Sequence, residues 1–488
     1  MQLYNTASRQ KEPFTPAVEG RVGLYACGIT AYDYCHIGHA RSAIVFDVLV
    51  RYLRFVGYDV TFVRNFTDVD DKIIARANQE GKPSEEIAAT YIQAFHEDMD
   101  RLGVLRATVE PKATEHIDDM IALCVNLIEK GHAYPTPSGD VYFRVRSFAG
   151  YGKLSGRSVD DLRSGARVAP GEEKEDPLDF ALWKAAKPGE PFWQSPWGKG
   201  RPGWHIECSA MSEKFLPLPL DIHGGGQDLV FPHHENEIAQ TEAATGKDFS
   251  RFWVHNGFVQ INSEKMAKSL GNFKTIRDIL ETTLPEVLRY FLLTRHYRSP
   301  IDFSVEALEE AEKNIKRLYE ARLLLEGYLA QGAPAGGKPN EATLALQDEL
   351  TRCAEGWRAA MDDDVNTAAA LGHMNAMFHL VHRVLEDKAL RKNSAAFPVL
   401  SGIAGYCGEW GGVLGLLHRS PAELLEELKA VRIQRRGIDA GAVENLMLER
   451  AGARAAKDFA KADEVRNQLL AMGIEVRDTP QGAVWDIV

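Results

Sequence analysis

Apolar residues crowd into Val22-Gly23-Leu24-Tyr25-Ala26, recur at Ile44, Val48, Leu49, Tyr52 and Leu53, and crowd again at Val60, Phe62 and Val63. The first and third runs read as buried strands, and the residues between them recur at the spacing of one helix face. Strand, helix, strand is the repeating unit of a parallel sheet, so the chain opens as an α/β, Rossmann-like domain. From about Pro135 to Gly203 the pattern gives way to Gly, Pro, Trp and charge, as in Gly171-Glu172-Glu173-Lys174-Glu175-Asp176, and an insertion of loops and short strands is expected. The sheet resumes at Leu218 to Ile222. Gly224-Gly225-Gly226 then reads as a turn, Pro232 as the start of a helix, and Phe252 to Ile261 as a further strand.

Beyond Asp302 the pattern is helical, beginning with Val305 to Leu329 and breaking at a linker or long loop over 331–339. Helices continue to about Leu417. A small unit from about Pro421 ends in the strand-like pieces Ile474-Glu475-Val476 and Ala483-Val484-Trp485. The expected organisation is a Rossmann-like catalytic domain in two halves (1–134 and 204–302) around an insertion (135–203), then a helical bundle (303–420) and a small terminal domain (421–488).

Length agrees with this division, because 488 residues exceed one ordinary core at about 100 to 200 residues per domain. The formal charge of -12 advertises no nucleic-acid binder, so any RNA contact must come from local basic faces. Cysteines at 27, 35, 124, 208, 353 and 407 are too irregular for a secreted disulfide framework. No run offers about 18 uninterrupted apolar residues for a membrane span. A cytoplasmic protein with reduced thiols, acting as a monomer, is expected.

Candidate chemistry sits at two short motifs and one scattered set. His36-Ile37-Gly38-His39 falls at the N-terminus of the first predicted helix, where phosphates bind well. Lys265-Met266-Ala267-Lys268-Ser269 adds two cations past the middle of the chain. Cys27 at the end of the first strand, Cys208, and His233 with Glu237 four residues later offer two thiolates, an imidazole and a carboxylate, a set that zinc accepts. Spacing alone leaves alternatives open. The cysteines could be ordinary buried residues, the His and Glu could face solvent, and His234 could compete with His233.

The paired motifs resemble the HIGH and KMSKS signatures of class I aminoacyl-tRNA synthetases. Ala26-Cys27-Gly28-Ile29-Thr30, Pro202-Gly203-Trp204-His205-Ile206-Glu207-Cys208-Ser209 and Phe231-Pro232-His233-His234-Glu235-Asn236-Glu237 resemble the cysteinyl-tRNA synthetase family within that class. The resemblance runs nearly end to end, through Asp362-Asp363-Asp364-Val365-Asn366-Thr367 to Gly482-Ala483-Val484-Trp485. It implies an ATP-dependent ligase that forms an adenylate of L-cysteine and passes it to the terminal ribose of tRNA(Cys), by class resemblance through the 2′-hydroxyl. It also implies one Zn²⁺ on Cys27, Cys208, His233 and Glu237, with Glu237 expected to be the labile ligand. His36, His39, Lys265 and Lys268 are implied as catalytic. Asp228 and Val259, together with His36, His39 and Lys268, should contact ATP, and Mg²⁺ is expected to accompany it, bound largely through phosphates and water. Thr67 and Trp204 should line the amino-acid pocket, with His223 beside it. Ala267 departs from the signature, which often has serine there.

At the far end Arg450, Arg454, Lys457 and Lys461 are spaced as one face of a helix from Leu448 to Leu470, and are expected to contact tRNA. A solvated, salt-bridged helix is the alternative. The nearest functional rival is a cysteine ligase of mycothiol synthesis, which passes the same adenylate to an amino-sugar inositol; the long helical C-terminal third speaks against it. A zinc hydrolase would leave the lysine motif unexplained.

Overall fold

The structure is a computed structural model, and residues 1–159, 173–261, 264–265, 274–479 and 482–487 are described. Its centre is a four-stranded parallel sheet in the order Ser250–Asn256, Leu220–Gly226, Arg21–Thr30, Asp59–Thr67. Alternation along the strands explains why both faces are covered. Val22, Leu24, Phe62, Ile222, Phe252 and Val254 join one hydrophobic core with the helix Ile37–Phe55. Their neighbours Tyr25, Val63 and Trp253 join a second core with helices Ile117–Glu129, Ile206–Phe215 and Glu235–Thr245.

Three strand expectations need correction. The first strand does not stop at Ala26 but runs to Thr30, through a register shift in which Cys27 and Gly28 face the single residue Asn65. Gly224-Gly225-Gly226 is no turn: it completes the strand Leu220–Gly226, paired with Val254, His255 and Asn256. Glycine is required there by crowding, since a Cβ on Gly224 would lie 2.3 Å from the Val254 carbonyl oxygen and 2.6 Å from the Phe46 ring. Gly224→Ala is expected to cost about 1–3 kcal/mol, read as a lower unfolding midpoint in denaturant. The expected strand Phe252 to Ile261 is two strands, Ser250–Asn256 and Val259–Ile261. They part at Gly257, whose N–H donates to the Tyr297 carbonyl at 2.8 Å and whose missing Cβ would meet the Arg298 carbonyl at 2.6 Å.

The insertion forms a five-stranded antiparallel sheet from Ala133–Pro135, Val141–Phe143, Phe180–Ala185, Gly198–Pro202 and Trp193–Ser195. Helices Val305–Leu329, Glu341–Asp362, Thr367–Glu386, Phe397–Leu414 and Pro421–Arg436 follow the catalytic part and contribute to its first core. The terminal helices Ala440–Ala455 and Phe459–Ala471 and the hairpin Ile474–Thr479/Gly482–Ile487 close on a small core of their own, centred on Val443, Val465, Leu469 and Ile474. The single helix expected from Leu448 to Leu470 is therefore two. Lys457 has φ +61°, and Asp458 caps the second helix by accepting from the Lys461 N–H at 3.0 Å. Among the described residues no helix is long and apolar enough to cross a membrane.

Candidate active site

The bulge in the strand Arg21–Thr30 is what aims Cys27. An extra residue re-directs a side chain locally, and Gly28 permits it: a Cβ there would lie 1.6 Å from the Asn65 carbonyl oxygen, while the Gly28 N–H donates to Asn65 Oδ1 at 2.9 Å. Cys208 enters from the first turn of the helix Ile206–Phe215. His233 sits in the helical turn that leads into Glu235–Thr245 and reaches Glu237 one turn on, Nε2 to Oε1 2.8 Å.

These four side chains converge, their ligand atoms all lying within 4.8 Å of one another. Cys27 Sγ is 3.6 Å from Cys208 Sγ and 3.4 Å from Glu237 Oε1. Tetrahedral ligands at zinc's bond lengths of about 2.0–2.3 Å stand roughly 3.3–3.8 Å apart, so both sulfur distances fit such an ion. Burial and mutual contact shift the four groups in different directions. The Cys27 thiol, donating to Cys208, brings Cys208 down to about 6 against the effect of burial. Burial and then Cys208 push Cys27 itself well up. Although burial opposes it, Glu237 and Cys208 raise His233 to about 10. Glu237, the carboxylate expected to be labile, is fully buried and held well below its usual range by His223 and His233, again against burial.

The metal set forms one end of a cleft of about 420 Å³ at the carboxyl ends of the sheet strands, the place where ligands bind in such folds. Cys27, Cys208 and His233 line it together with His36, His39, Thr67, Trp204, Asp228 and Val259. His36 and His39 cap their own helix: His36 Nδ1 accepts from the Gly38 N–H at 3.0 Å, and His39 Nδ1 from the His36 N–H at 3.2 Å. The rings stack with centroids 3.7 Å apart. Helix capping, the ordinary role for such residues, is thus combined with a place in the cleft wall.

Lys268 and Ala267 lie outside the described residues. The backbone of Lys265 pairs with Gln260 beside Val259. On the other side, Ile276 N–H donates to the Cys35 carbonyl at 2.9 Å, next to His36. Both ends of the lysine-motif segment are therefore fastened beside the cleft.

Thr67 donates its hydroxyl to the buried Glu207 at 2.5 Å. Trp204 is 40% exposed and stacks on His233 with centroids 4.4 Å apart, so it is a cleft residue and not core. His223 is fully buried behind the metal set, its Nε2 2.9 Å from Glu237 Oε2. Sequence reasoning missed Asn65, Glu207 and the histidine support: His205 Nδ1 lies 3.0 Å from His233 Nδ1, and His234 Nδ1 lies 2.8 Å from His255 Nε2. The available signal was polar residues inside otherwise apolar strands and helices.

The four basic residues of the C-terminal unit do not form one helical stripe. Arg450 is buried and grips Asp478 with two bonds of 3.0 and 3.1 Å, and Arg454 reaches the same carboxylate at 2.5 Å. Together they pull Asp478 down to about 2. Lys461 pairs with Glu449 and Glu464, both at 3.2 Å. Lys457 is exposed at the left-handed position between the helices.

Residues 13–313 match the family of tRNA synthetases class I (C) catalytic domain, residues 356–418 the DALR domain, and residues 439–485 the cysteinyl-tRNA ligase anticodon binding domain. A cysteine–tRNA ligase of Nitratidesulfovibrio vulgaris (Miyazaki F) is 67% identical, and one of Oleidesulfovibrio alaskensis 65% identical, each over 100% of both chains. Among solved structures, Mycobacterium tuberculosis methionyl-tRNA synthetase in complex with methionyl-adenylate is similar in fold, with a TM-score of 0.63 at 16% identity, covering 83% of this chain and 93% of that one. The mycothiol-type alternative finds no support among these relatives. With a matching catalytic domain around the cleft and a matching anticodon-binding domain at its end, the chain belongs to the cysteine–tRNA ligase family of class I aminoacyl-tRNA synthetases.

Proposed function

We propose that the chain activates L-cysteine with ATP and transfers it to tRNA(Cys). The observation that carries this reading is one cleft walled by both Cys27, Cys208 and His233, which converge with Glu237 behind them, and the histidine-bearing helix N-terminus. A cysteine carboxylate oxygen attacks the α-phosphorus of ATP, the bond to the β-phosphate oxygen breaks, and pyrophosphate leaves. Positioning and charge stabilisation supply the catalysis, with no protein nucleophile. The N-terminus of the helix Ile37–Phe55 faces the phosphates with its positive dipole end. Since Nδ1 of each histidine is used in capping, His36 and His39 meet phosphate through Nε2. Lys265 and Lys268 hold the departing pyrophosphate, Asp228 the ribose, and the backbone around Val259 the adenine. Mg²⁺ arrives with ATP, bound mainly by phosphate and water.

Cys27, Cys208, His233 and Glu237 hold zinc, which when bound selects a soft thiolate over a serine hydroxyl. A shaped pocket alone separates such near-isosteres by only about 10- to 200-fold. Thr67 and Trp204 frame the amino acid, and Glu207 fixes the Thr67 hydroxyl. His223 supports Glu237 from behind.

The 2′-hydroxyl of the terminal ribose of the tRNA then attacks the carbonyl carbon of the adenylate, giving the cysteinyl ester as the bond to the phosphate oxygen breaks and AMP leaves. In the C-terminal unit Arg450 and Arg454 organise the hairpin through Asp478, and Lys457 presents its charge to the RNA backbone. Removing residues 439–488 is expected to abolish charging of tRNA(Cys) while sparing cysteine-dependent ATP–pyrophosphate exchange. Undiminished charging by the truncated chain would contradict the role given to this unit.

A further inference from the structure

Behind the cleft lies a second group of donors. Cys27, His223, His234 and Glu237 also offer ligand atoms that all lie within 4.8 Å of one another, and they share the Cys27–Glu237 edge with the set described above. His223, His234 and Glu237 are each fully buried, and none of the three lines the cleft. His223 Nε2 stands 3.7 Å from Cys27 Sγ and 2.9 Å from Glu237 Oε2.

His234 is the informative member. Its Nδ1 is engaged by His255 Nε2 at 2.8 Å, and His255 Nδ1 is in turn bonded to the Thr6 hydroxyl at 2.8 Å. That chain fixes the ring as outer partners of metal-bound histidines do. Its Nε2, buried within the fold, finds no hydrogen-bond partner among the described residues. A buried nitrogen left bare costs free energy unless something fills its lone pair. Gly225 is the neighbour on that side, where a Cβ would lie 2.8 Å from Leu229 Cδ1 and 3.4 Å from that nitrogen. Tyr25 backs the partner ring, stacked on His223 at 5.2 Å and 5°.

We propose that Cys27, His223, His234 and Glu237 form a second, inner seat for a divalent ion of zinc type. The two seats share two ligands, so they are alternatives for one ion. The outer seat, with two thiolates and a cleft-facing side, is the one open to substrate. The inner seat offers one thiolate, two imidazoles and a carboxylate, again a zinc-compatible set, but three of its four ligands lie behind the cleft wall and only Cys27 reaches it. It holds the ion when the outer ligands fail, and keeps it away from substrate.

The inference rests on the outer set being a zinc site, and the test separates the two. Wild-type protein that binds no zinc would sink the site reading itself. The inner seat is tested in full-length Cys208→Ser, an isosteric change that weakens only the outer seat. After dialysis this variant is expected to retain zinc, measured by elemental analysis, and with Co²⁺ to show thiolate charge transfer from a single sulfur. Adding His234→Gln should release the ion, while adding His233→Gln should not. The reverse pattern, or loss or retention in both double variants, overturns the inner seat. Far-UV circular dichroism on each variant confirms that the fold is kept.

Discussion

Cys208→Ser is expected to lower cysteine-dependent ATP–pyrophosphate exchange by more than about 100-fold, since even the outer partners of metal ligands are worth roughly 10- to 100-fold. The substituted oxygen fits the same space in the first turn of the helix Ile206–Phe215, so the fold has no reason to change. What changes is the donor. Cys208 is the thiol that Cys27 brings down to about 6, and it is the readiest thiolate of the set. A serine hydroxyl stays protonated near neutrality and is a hard, weak ligand by comparison. The loss should appear as a failure to use cysteine, with the KM for ATP near its original value, because the nucleotide end of the cleft is untouched. A matched rise in both KM values would show that the residue supports the cleft as a whole.

The second large effect is expected at His36. Its ring both caps the helix Ile37–Phe55 and lines the cleft, and the two roles can be separated. Asparagine is among the best N-cap residues, whereas alanine costs typically about 1 kcal/mol. His36→Asn should therefore unfold at the temperature of the parent, yet lose about 10²- to 10³-fold in the rate of adenylate formation, the usual cost of removing one donor aimed at developing charge. His36→Ala should lose the same rate and some stability as well. A fully active His36→Asn protein would mean that the histidine serves the helix alone.

The sequence made the chemistry legible where residues sit close together in the chain. The His36–His39 pair, the His233–Glu237 spacing and the helix Val305–Leu329 are all local patterns, and local patterns follow from helix geometry. Less legible was anything set by a neighbour distant in sequence. Gly224-Gly225-Gly226 looks like a turn because glycine favours turns, but here it answers to Phe46 and Val254, which leave no room for a Cβ. The bulge at Cys27 depends on Asn65 across the sheet, and nothing near Cys27 announces it. The basic stripe failed for a more readable reason. Asp458 is a capping residue that divides the helix, and Asp478, far along the chain, claims the two arginines. The insertion was recognisable from composition, but its antiparallel sheet order was not, because strands of three to six residues carry little pattern.

The central claim is that the set Cys27, Cys208, His233 and Glu237 reads the thiol of the substrate through a bound metal. The most direct test compares ATP–pyrophosphate exchange driven by cysteine and by serine, before and after zinc is removed by chelation and then restored. The account predicts a cysteine preference well beyond the roughly 10- to 200-fold that pocket shape can supply, falling toward that range on chelation and returning with zinc. A preference that survives complete removal of the metal, or equal rates for the two amino acids with the metal present, would contradict it.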